Sequence, residues 1–371
     1  MNKPVHIGLA GADAALILQL TRCTPGLRLV AVADPQLEAV IVALRQAAIV
    51  APRLVTNAAQ LDAAAARGHV AVLEDVTSLG QAATIDIVVD ATGSVLLGAE
   101  IALAAFAHTK ALLVLYPALM VSLGPVLHGR AQQAATPLVF AHGSPALALI
   151  EVYRFVSDLG LRPRLAGICG AADLPLLDLV LAANWLDLAL LPTPLDVAPG
   201  QALTSMALPE QLREQAQLAY VRAAPPAVFV FAEAAFPQQA ALLEQAGLGK
   251  GPLFCFTQAA GFGFLAIARA IQSVKYATQP QLLPRYTVAG RTHKPLPQGH
   301  SISAGDCEPW LLALAESSVA PLPYALAMGC RLRYNIGPGE IVRWGDITPP
   351  TSAAARLYAE QIALLHRDER V

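Results

Sequence analysis

Apolar residues in this chain come in short runs that alternate with longer stretches of helical spacing. Residues 5–10 (VHIGLA) and 27–33 (LRLVAVA) read as buried strands, and 14–23 between them, with Leu16, Leu18 and Leu20, reads as a helix. This is the β-α-β opening of a doubly wound fold, about 30 residues long. The alternation continues through a strand at 70–73, a strand at 85–89 running into Asp90-Ala91-Thr92-Gly93, a helix at 97–107, and strands at 112–115 and 138–141. Such alternation predicts a mostly parallel sheet with helices on both faces. After His142-Gly143-Ser144-Pro145 the spacing predicts a long amphipathic helix over 146–159, then helices and at least two strands, one of them at 227–231. Two similar stretches follow, 291–302 (RTHKPLPQGHSI) and 331–341 (RLRYNIGPGEI), whose Pro and Gly turns predict a compact β-clip. A last helix is expected after Thr351 or Ser352, either of which can cap it, running to about His366.

At 371 residues the chain exceeds one ordinary core. The pattern divides it into a Rossmann-type α/β domain over 1–145, an α+β middle domain over 146–284, and a β-clip with its C-terminal helix over 285–371. Charged residues are 14% and hydrophobic ones 55%, against roughly 25% charge in an average soluble protein. That deficit points to extensive burial, a subunit interface included.

The formal net charge is −2 and no Lys/Arg stripe occurs, which excludes the electrostatic footprint of a nucleic-acid binder. One stretch, 111–127, is uncharged for 17 residues. Pro117, Ser122, Gly124 and Pro125 interrupt it, and it falls where a parallel sheet needs a buried strand, so it is read as core and not as a membrane span. The chain runs within a few residues of Met1 into a strand, without a signal-peptide pattern, and a cytoplasmic protein is expected. Cys23, Cys169, Cys255, Cys307 and Cys330 form no C-x-x-C pair and read as reduced, mostly buried thiols.

Residues 5–35, the Asp90-Ala91-Thr92-Gly93 loop, the Gly143-x-Pro145 turn before a long helix, and the tail at 320–347 (APLPYALAMGCRLRYNIGPGEIVRWGDI) carry a resemblance. Together they resemble the homoserine-dehydrogenase-like oxidoreductases with a C-terminal SAF-type domain, a group that includes the deoxyxylulose-phosphate reductoisomerase-like enzymes. The resemblance implies a Rossmann fold, NAD or NADP, a homodimer, and reduction or isomerisation of a small polar carbonyl substrate.

The cofactor positions depart from that pattern. A G-x-G-x-x-G fingerprint uses its glycines for the turn, for close approach to the pyrophosphate, and for helix–strand packing. Here the six places are Gly11, Ala12, Asp13, Ala14, Ala15 and Leu16, so only the first glycine stands. Leu16 is expected to push the helix off the strand. Asp13 puts a carboxylate where the resemblance places a pyrophosphate; alternatively it caps its own helix and satisfies those amides itself. Asp34 matches the acid that bonds an adenosine ribose, or is a turn residue before Pro35. Thr92 and Gly93 match the loop that passes a nicotinamide ribose, or make a plain strand-end turn. The set Gly11, Asp13, Asp34, Thr92 and Gly93 is therefore the candidate cofactor site.

The catalytic positions that the resemblance implies are also altered. Its Asn- and Glu-containing strand end is Tyr116-Pro117-Ala118-Leu119 here, its acid after the turn glycine is Ser144, and its lysine-bearing segment is Gly167-Ile168-Cys169-Gly170-Ala171-Ala172. Hydride reduction needs an acid or a cation for the developing alkoxide. Lys250 is the nearest candidate, or a surface lysine in a turn. Asp173, Asp178 and Asp187, near Trp185, face a pocket or are capping carboxylates, and His142 is a further candidate. No metal-ligand spacing and no G-x-S-x-G elbow occurs. The sequence thus reads as a homologue with eroded cofactor and catalytic positions, a binding or assembly module that pairs with itself or with a partner protein. The alternative is an active NAD(P)-dependent oxidoreductase with a rearranged site.

Overall fold

A computed structural model describes residues 4–141, 143–170, 174–197, 203, 215–223, 225–261, 263–274, 284–316 and 319–368. The chain forms two compact units, one of Met1–Ala141, Phe264–Leu282 and Thr287–Val371, the other of His142–Gly263 and Leu283–Tyr286. Among the described residues no helix is long and apolar enough to cross a membrane.

The first unit alternates strand and helix as the apolar pattern predicts. Its elements are β1 (Val5–Ala10), α1 (Ala14–Leu18), β2 (Leu27–Ala33), α2 (Leu37–Gln46), β3 (Arg53–Leu54), α3 (Ala58–Ala66), β4 (Ala71–Leu73), α4 (Ser78–Gln81), β5 (Ile87–Asp90), α5 (Val95–Ala107), β6 (Ala111–Val114), α6 (Pro117–Gln133) and β7 (Leu138–Phe140). The strands form one sheet in the order β3-β4-β2-β1-β5-β6-β7. Every pair in it is parallel. This is a Rossmann-type doubly wound sheet, and its order reverses direction between β1 and β5.

The uncharged run at 111–127 does not stay in the sheet. It is strand only as far as Val114 and then turns into α6, with Pro117 in the first helical turn. Pro suits that place because the first amides of a helix have no intrahelical partner. Pro125, inside the same helix, lacks an N–H and disturbs the ladder. The repair comes from the far end of the chain. Gln361 is buried on α12 (Ala353–Asp368). Its side-chain amide donates to the Ser122 carbonyl at 3.1 Å and accepts from the Val126 amide at 3.3 Å. Those are the carbonyl and amide that face each other one turn apart in a regular helix. Arg130 of α6 adds a bidentate pair with Glu360. Ser352 caps α12, its Oγ accepting from Ala355 N at 3.2 Å.

The second unit contains α7 (Pro145–Asp158), β8 (Arg162–Gly170), α8 (Leu176–Leu186), β9 (Ala189–Leu190), β10 (Leu195–Asp196), β11 (Gln217–Arg222), β12 (Ala227–Glu233), α9 (Pro237–Gln245) and β13 (Leu253–Ala259). Its sheet runs β10-β11-β8-β12-β13, with β9 beside β11. It is mixed: β8 pairs parallel with β11 and antiparallel with β12. Gly167 lies mid-strand in β8, where a Cβ would come within 1.9 Å of the Ala219 carbonyl, so packing alone demands the glycine. The amides at the start of α7 are capped twice. Ser144 Oγ accepts from Leu147 N at 3.1 Å, and Asp178 Oδ1, reaching over from α8, accepts from Ala146 N at 3.1 Å.

The chain then returns to the first unit with α10 (Ile267–Ser273), β14 (Tyr286–Thr292), β15 (Cys307–Ala313), α11 (Tyr324–Ala327), β16 (Arg331–Leu332) and β17 (Ile347–Thr348), ahead of α12. The two stretches that look alike in sequence face each other across a local twofold. Leu296 and Ile336 exchange amide–carbonyl bonds at 2.9 Å in both directions. Around that centre the bonds recur in matched pairs: Gly299 N to Leu332 O and Gly339 N to Thr292 O, both at 2.8 Å, and Ile302 N to Cys330 O and Val342 N to Gly290 O, both at 2.9 Å. Leu296, Ile302, Leu332, Ile336 and Val342 are all buried on the shared interior. The likeness extends beyond the sequence pattern, because Asp306 and Asp346 occupy equivalent places. The Asp306 carbonyl accepts from His293 N at 3.1 Å and the Asp346 carbonyl from Arg333 N at 2.7 Å.

Two outcomes test these packing arguments. Replacing Gln361 with Ala leaves buried backbone groups on α6 without their partner and should destabilise the protein by about 1–3 kcal/mol, read from the urea midpoint. Arg130→Ala, which removes an exposed pair, should cost under about 1 kcal/mol. The second outcome concerns pH. Burial pushes the Asp178 carboxyl up to about 6, against the Ala146 bond that favours its ionised form. A raised folded-state pKa stabilises the fold fully below the unfolded value near 3.8 and loses that contribution as pH rises through 6. Asp178→Asn should therefore be more stable than the parent at pH 7, by on the order of 2 kcal/mol, with the difference vanishing near pH 4. Melting curves of both proteins across this range check it.

Candidate functional site

In a doubly wound sheet the crevice lies off the carboxyl ends of the strands where their order reverses. Here that place is the mouth between β1 and β5, and it gathers most of the residues singled out in the sequence. Gly11 follows β1 with φ +110°, and a Cβ there would sit 2.7 Å from the Ala91 carbonyl oxygen. Its amide donates to Ala33 O at 2.9 Å, and Ala91 N donates to Ala10 O at 2.8 Å, so the loops after β1, β2 and β5 are tied together.

Asp13 stands at the N-cap of α1 with extended backbone, φ −110° and ψ 115°. Its Oδ1 accepts from Leu16 N at 2.8 Å. The carboxylate thus serves an amide that a bound anion would otherwise meet. Helix α1 is five residues long and passes into a π-helical turn over Gln19–Cys23. Leu16 is fully buried with Ile17 and Leu20 in the hydrophobic core. The bulk that replaces the third glycine has become core.

Asp34 ends β2 and is partly exposed. Its Oδ1 accepts from Gln36 N at 2.8 Å, the geometry of an Asx turn ahead of the next helix. Thr92 and Gly93 lie beyond β5 in a turn organised by Asp90. Asp90 Oδ1 accepts from Thr92 N at 3.0 Å and from Thr92 Oγ1 at 2.7 Å, and Thr92 Oγ1 in turn accepts from Ser94 N at 3.2 Å. The Thr92 hydroxyl is therefore engaged as donor and acceptor. Ser94 completes the turn by capping α5 through Leu97 N at 3.3 Å.

Asp90 itself is only 4% exposed. Burial raises its carboxyl pKa against the two Thr92 bonds that favour the ionised form. A Cβ on Gly98 would come within 2.7 Å of Asp90 Oδ2, so α5 can lie over this carboxylate only because residue 98 is glycine. Tyr116, the N-cap of α6, borders the same mouth; a Cβ on Gly93 would lie 3.8 Å from its ring. Burial and then the charges of Asp13 and Asp90 push its phenol pKa up. In the sequence Asp90 stands out only as part of its loop, and the signal for it is an acid closing a wholly apolar strand, Ile87-Val88-Val89. The site is thus acceptor-rich, built from Asp13, Asp34, Asp90, Thr92 and Tyr116.

The remaining candidates fall in the second unit, and Ser144, Asp178 and Asp187 have structural partners. Ser144 and Asp178 cap α7 as described. Asp187 ends α8 in the left-handed region at φ +56° and pairs with Arg285 at 3.1 Å, both exposed. Trp185 is buried, and among the described residues its indole Nε1 has no acceptor. Lys250 is exposed in the turn between α9 and β13. His142, Ala171, Ala172 and Asp173 lie outside the described residues. All five cysteines are free; Cys169, Cys307 and Cys330 are buried, while Cys23 is exposed. Cys255 is partly buried, and burial pushes its thiol up to about 12. Among the described residues no group of three or more His, Cys, Asp or Glu side chains could hold a metal ion.

No protein-family model matches the chain, and no curated protein does. The chain has low-scoring likenesses to several solved structures. It is similar to apo scyllo-inositol dehydrogenase from Lactobacillus casei, with TM-score 0.34 and 14% identity over 46% of each chain. It is similar to a probable dehydrogenase from Thermotoga maritima, with TM-score 0.45 and 11% identity over 76% of this chain and 91% of that one. A putative myo-inositol dehydrogenase from Sinorhizobium meliloti gives TM-score 0.37 and 13% identity over 83% and 82%. The chain spans under half the length of the Lactobacillus protein that it matches. Likenesses this low carry no argument about chemistry, and the Rossmann-type fold stands on the strand order alone.

Proposed function

We propose that this chain keeps a Rossmann-type shell as a binding or assembly module and does not carry out hydride chemistry on a nicotinamide dinucleotide. One observation carries this reading: the 2.8 Å bond from the Leu16 amide to the Asp13 carboxylate. The helix start that would receive a diphosphate already holds an anion of its own. A second negative charge about 4 Å away would be repelled by about 4 kcal/mol at an effective dielectric near 20, about a thousandfold in affinity. Asp90 and Tyr116 bring no positive charge to offset it. These residues do not fit a dinucleotide diphosphate, so no step through NAD or NADP is derived. Descent from homoserine-dehydrogenase-like oxidoreductases, with the paired repeats as a SAF-type clip, a homodimer or partner-protein complex as the working form, and a cytoplasmic setting belong to the same proposal.

A second reading, an active NAD(P)-dependent oxidoreductase for a small polar carbonyl or hydroxy substrate, is favoured by Asp34. Its carboxylate sits at the end of β2, where an adenosine ribose would be met, and one of its oxygens is engaged in the turn.

Titration with NADH and NADPH, followed by thermal shift and nucleotide fluorescence, separates the two. The parent protein should show no response at millimolar cofactor. Asp13→Asn keeps a capping oxygen and removes the charge, and Asp13→Gly removes both; each should raise affinity at least about tenfold. Micromolar binding by the parent would sink the first reading, and no gain in the Asn variant would clear this carboxylate of the blame.

A further inference from the structure

The local twofold of the clip allows charges at equivalent positions to be compared. Thr292 and Leu332 make matched bonds, so Arg291 and Arg331 hold the same place in the two copies. Asp306 and Asp346 match as well, and with them Glu308 and Thr348. In the first copy the arginine is neutralised. Arg291 pairs with Glu308 and lies over the Trp310 ring, 3.4 Å from its centroid. In the second copy threonine stands in place of the acid, and Arg331 sits opposite Thr348 in the β16–β17 pair. The Arg331 guanidinium meets no carboxylate among the described residues. Its Nε donates to the Gly299 carbonyl at 3.1 Å, while Nη1 and Nη2 bond to nothing among those residues.

A second arginine lies on the same side. The ladder continues past β16, with Arg333 N bonded to Asp346 O at 2.7 Å. Leu332 is buried, so the exposed Arg331 and Arg333 on either side of it project from one outward face, with Cα atoms about 7 Å apart. Arg333 also meets no carboxylate among the described residues. Its guanidinium carbon lies 5.7 Å from the centroid of the exposed Tyr334 ring. The Asp346 carboxylate is turned to the Arg343 amide at 2.8 Å. Two neighbouring cations without an acid repel each other, and in a chain with only 14% charged residues they are a departure that the strand pairing does not require.

We propose that Arg331 and Arg333 form an anion site on the clip that takes the phosphate group of a small, soluble phosphomonoester. Charge selects this class. A phosphomonoester carries about −1.5 to −2 at neutral pH, which two guanidinium groups balance, whereas a single carboxylate balances one. Guanidinium donors make charge-assisted bonds of about 2.8 Å to phosphate oxygens, and the spacing of the two side chains lets one tetrahedral group lie between them. The bond to Gly299 holds Arg331 in place beforehand, so binding has less side-chain freedom to remove. A nucleic acid would need a longer track of cations than this pair. The inference is independent of the crevice between β1 and β5 and holds whichever way that is settled.

Calorimetric titration of the full chain with inorganic phosphate and with glycerol 1-phosphate, at low salt and neutral pH, tests it. The parent should bind both saturably, with Kd of about 1 mM or tighter. Arg331→Ala and Arg333→Ala should each weaken binding at least about fivefold with an unchanged melting temperature. Thr348→Glu, at an exposed position, gives the second copy the acid that neutralises Arg291 in the first. It should weaken binding to a similar extent while leaving both arginines in place. A parent without saturable binding at about 10 mM phosphate overturns the proposal. So does affinity that all three variants retain, or binding confined to vesicles of phosphatidic acid, which would make this face a membrane contact. Should either arginine variant unfold, Thr348→Glu decides: undiminished binding there counts against the site.

Discussion

The first amides of a helix need acceptors, and in the opening crossover of this sheet the chain provides its own. Everything at the mouth between β1 and β5 follows from that. Because the Asp13 carboxylate is held at the helix start, the space beside it favours neutral or positive groups and disfavours phosphates. Leu16, on the buried side of the same helix, is seated in the core. Asp90 and Thr92 close the neighbouring turn on themselves in the same manner. The crevice has the position of a nucleotide site and the hydrogen-bond inventory of a capped helix.

Much of the first unit was legible in the amino-acid pattern, because buried parallel strands read as short apolar runs and the helices between them have a different period. The paired repeats were visible as Pro and Gly turns at matched spacing. What escaped the pattern depends on partners distant in sequence. Helix α6 hides in a run with no polar face, since it is covered on several sides and presents ten buried positions. Its interior proline reads as a helix breaker until the amide of Gln361 is placed against it. At the candidate site, both alternatives for Asp13 were readable, and only geometry decides that the cap is made. The bulk of Leu16 was legible, but its destination was not.

The repeat in the clip offers a comparison within one molecule. The apolar residues and turn glycines common to both copies are those the local twofold requires. The differences gather around the two equivalent acids. Asp346 receives the Arg343 amide at 2.8 Å. Asp306, almost wholly buried, receives Ser303 through both amide and hydroxyl, at 2.7 and 2.8 Å, and pairs with Lys294 at 3.0 Å and His300 at 2.8 Å. Four donors hold its carboxyl well below the usual range, the His300 bond foremost. The Asp306 side chain is therefore pinned by charge where that of Asp346, among the described residues, receives the Arg343 amide.

The bracing of α6 by Gln361 also orders events during synthesis. The two partners are 235 residues apart, so a ribosome making the chain releases α6 long before the side chain that completes it. Domains usually fold as they emerge, N-terminal first. Here α6, with its interior proline, is without this brace until Gln361 has been made.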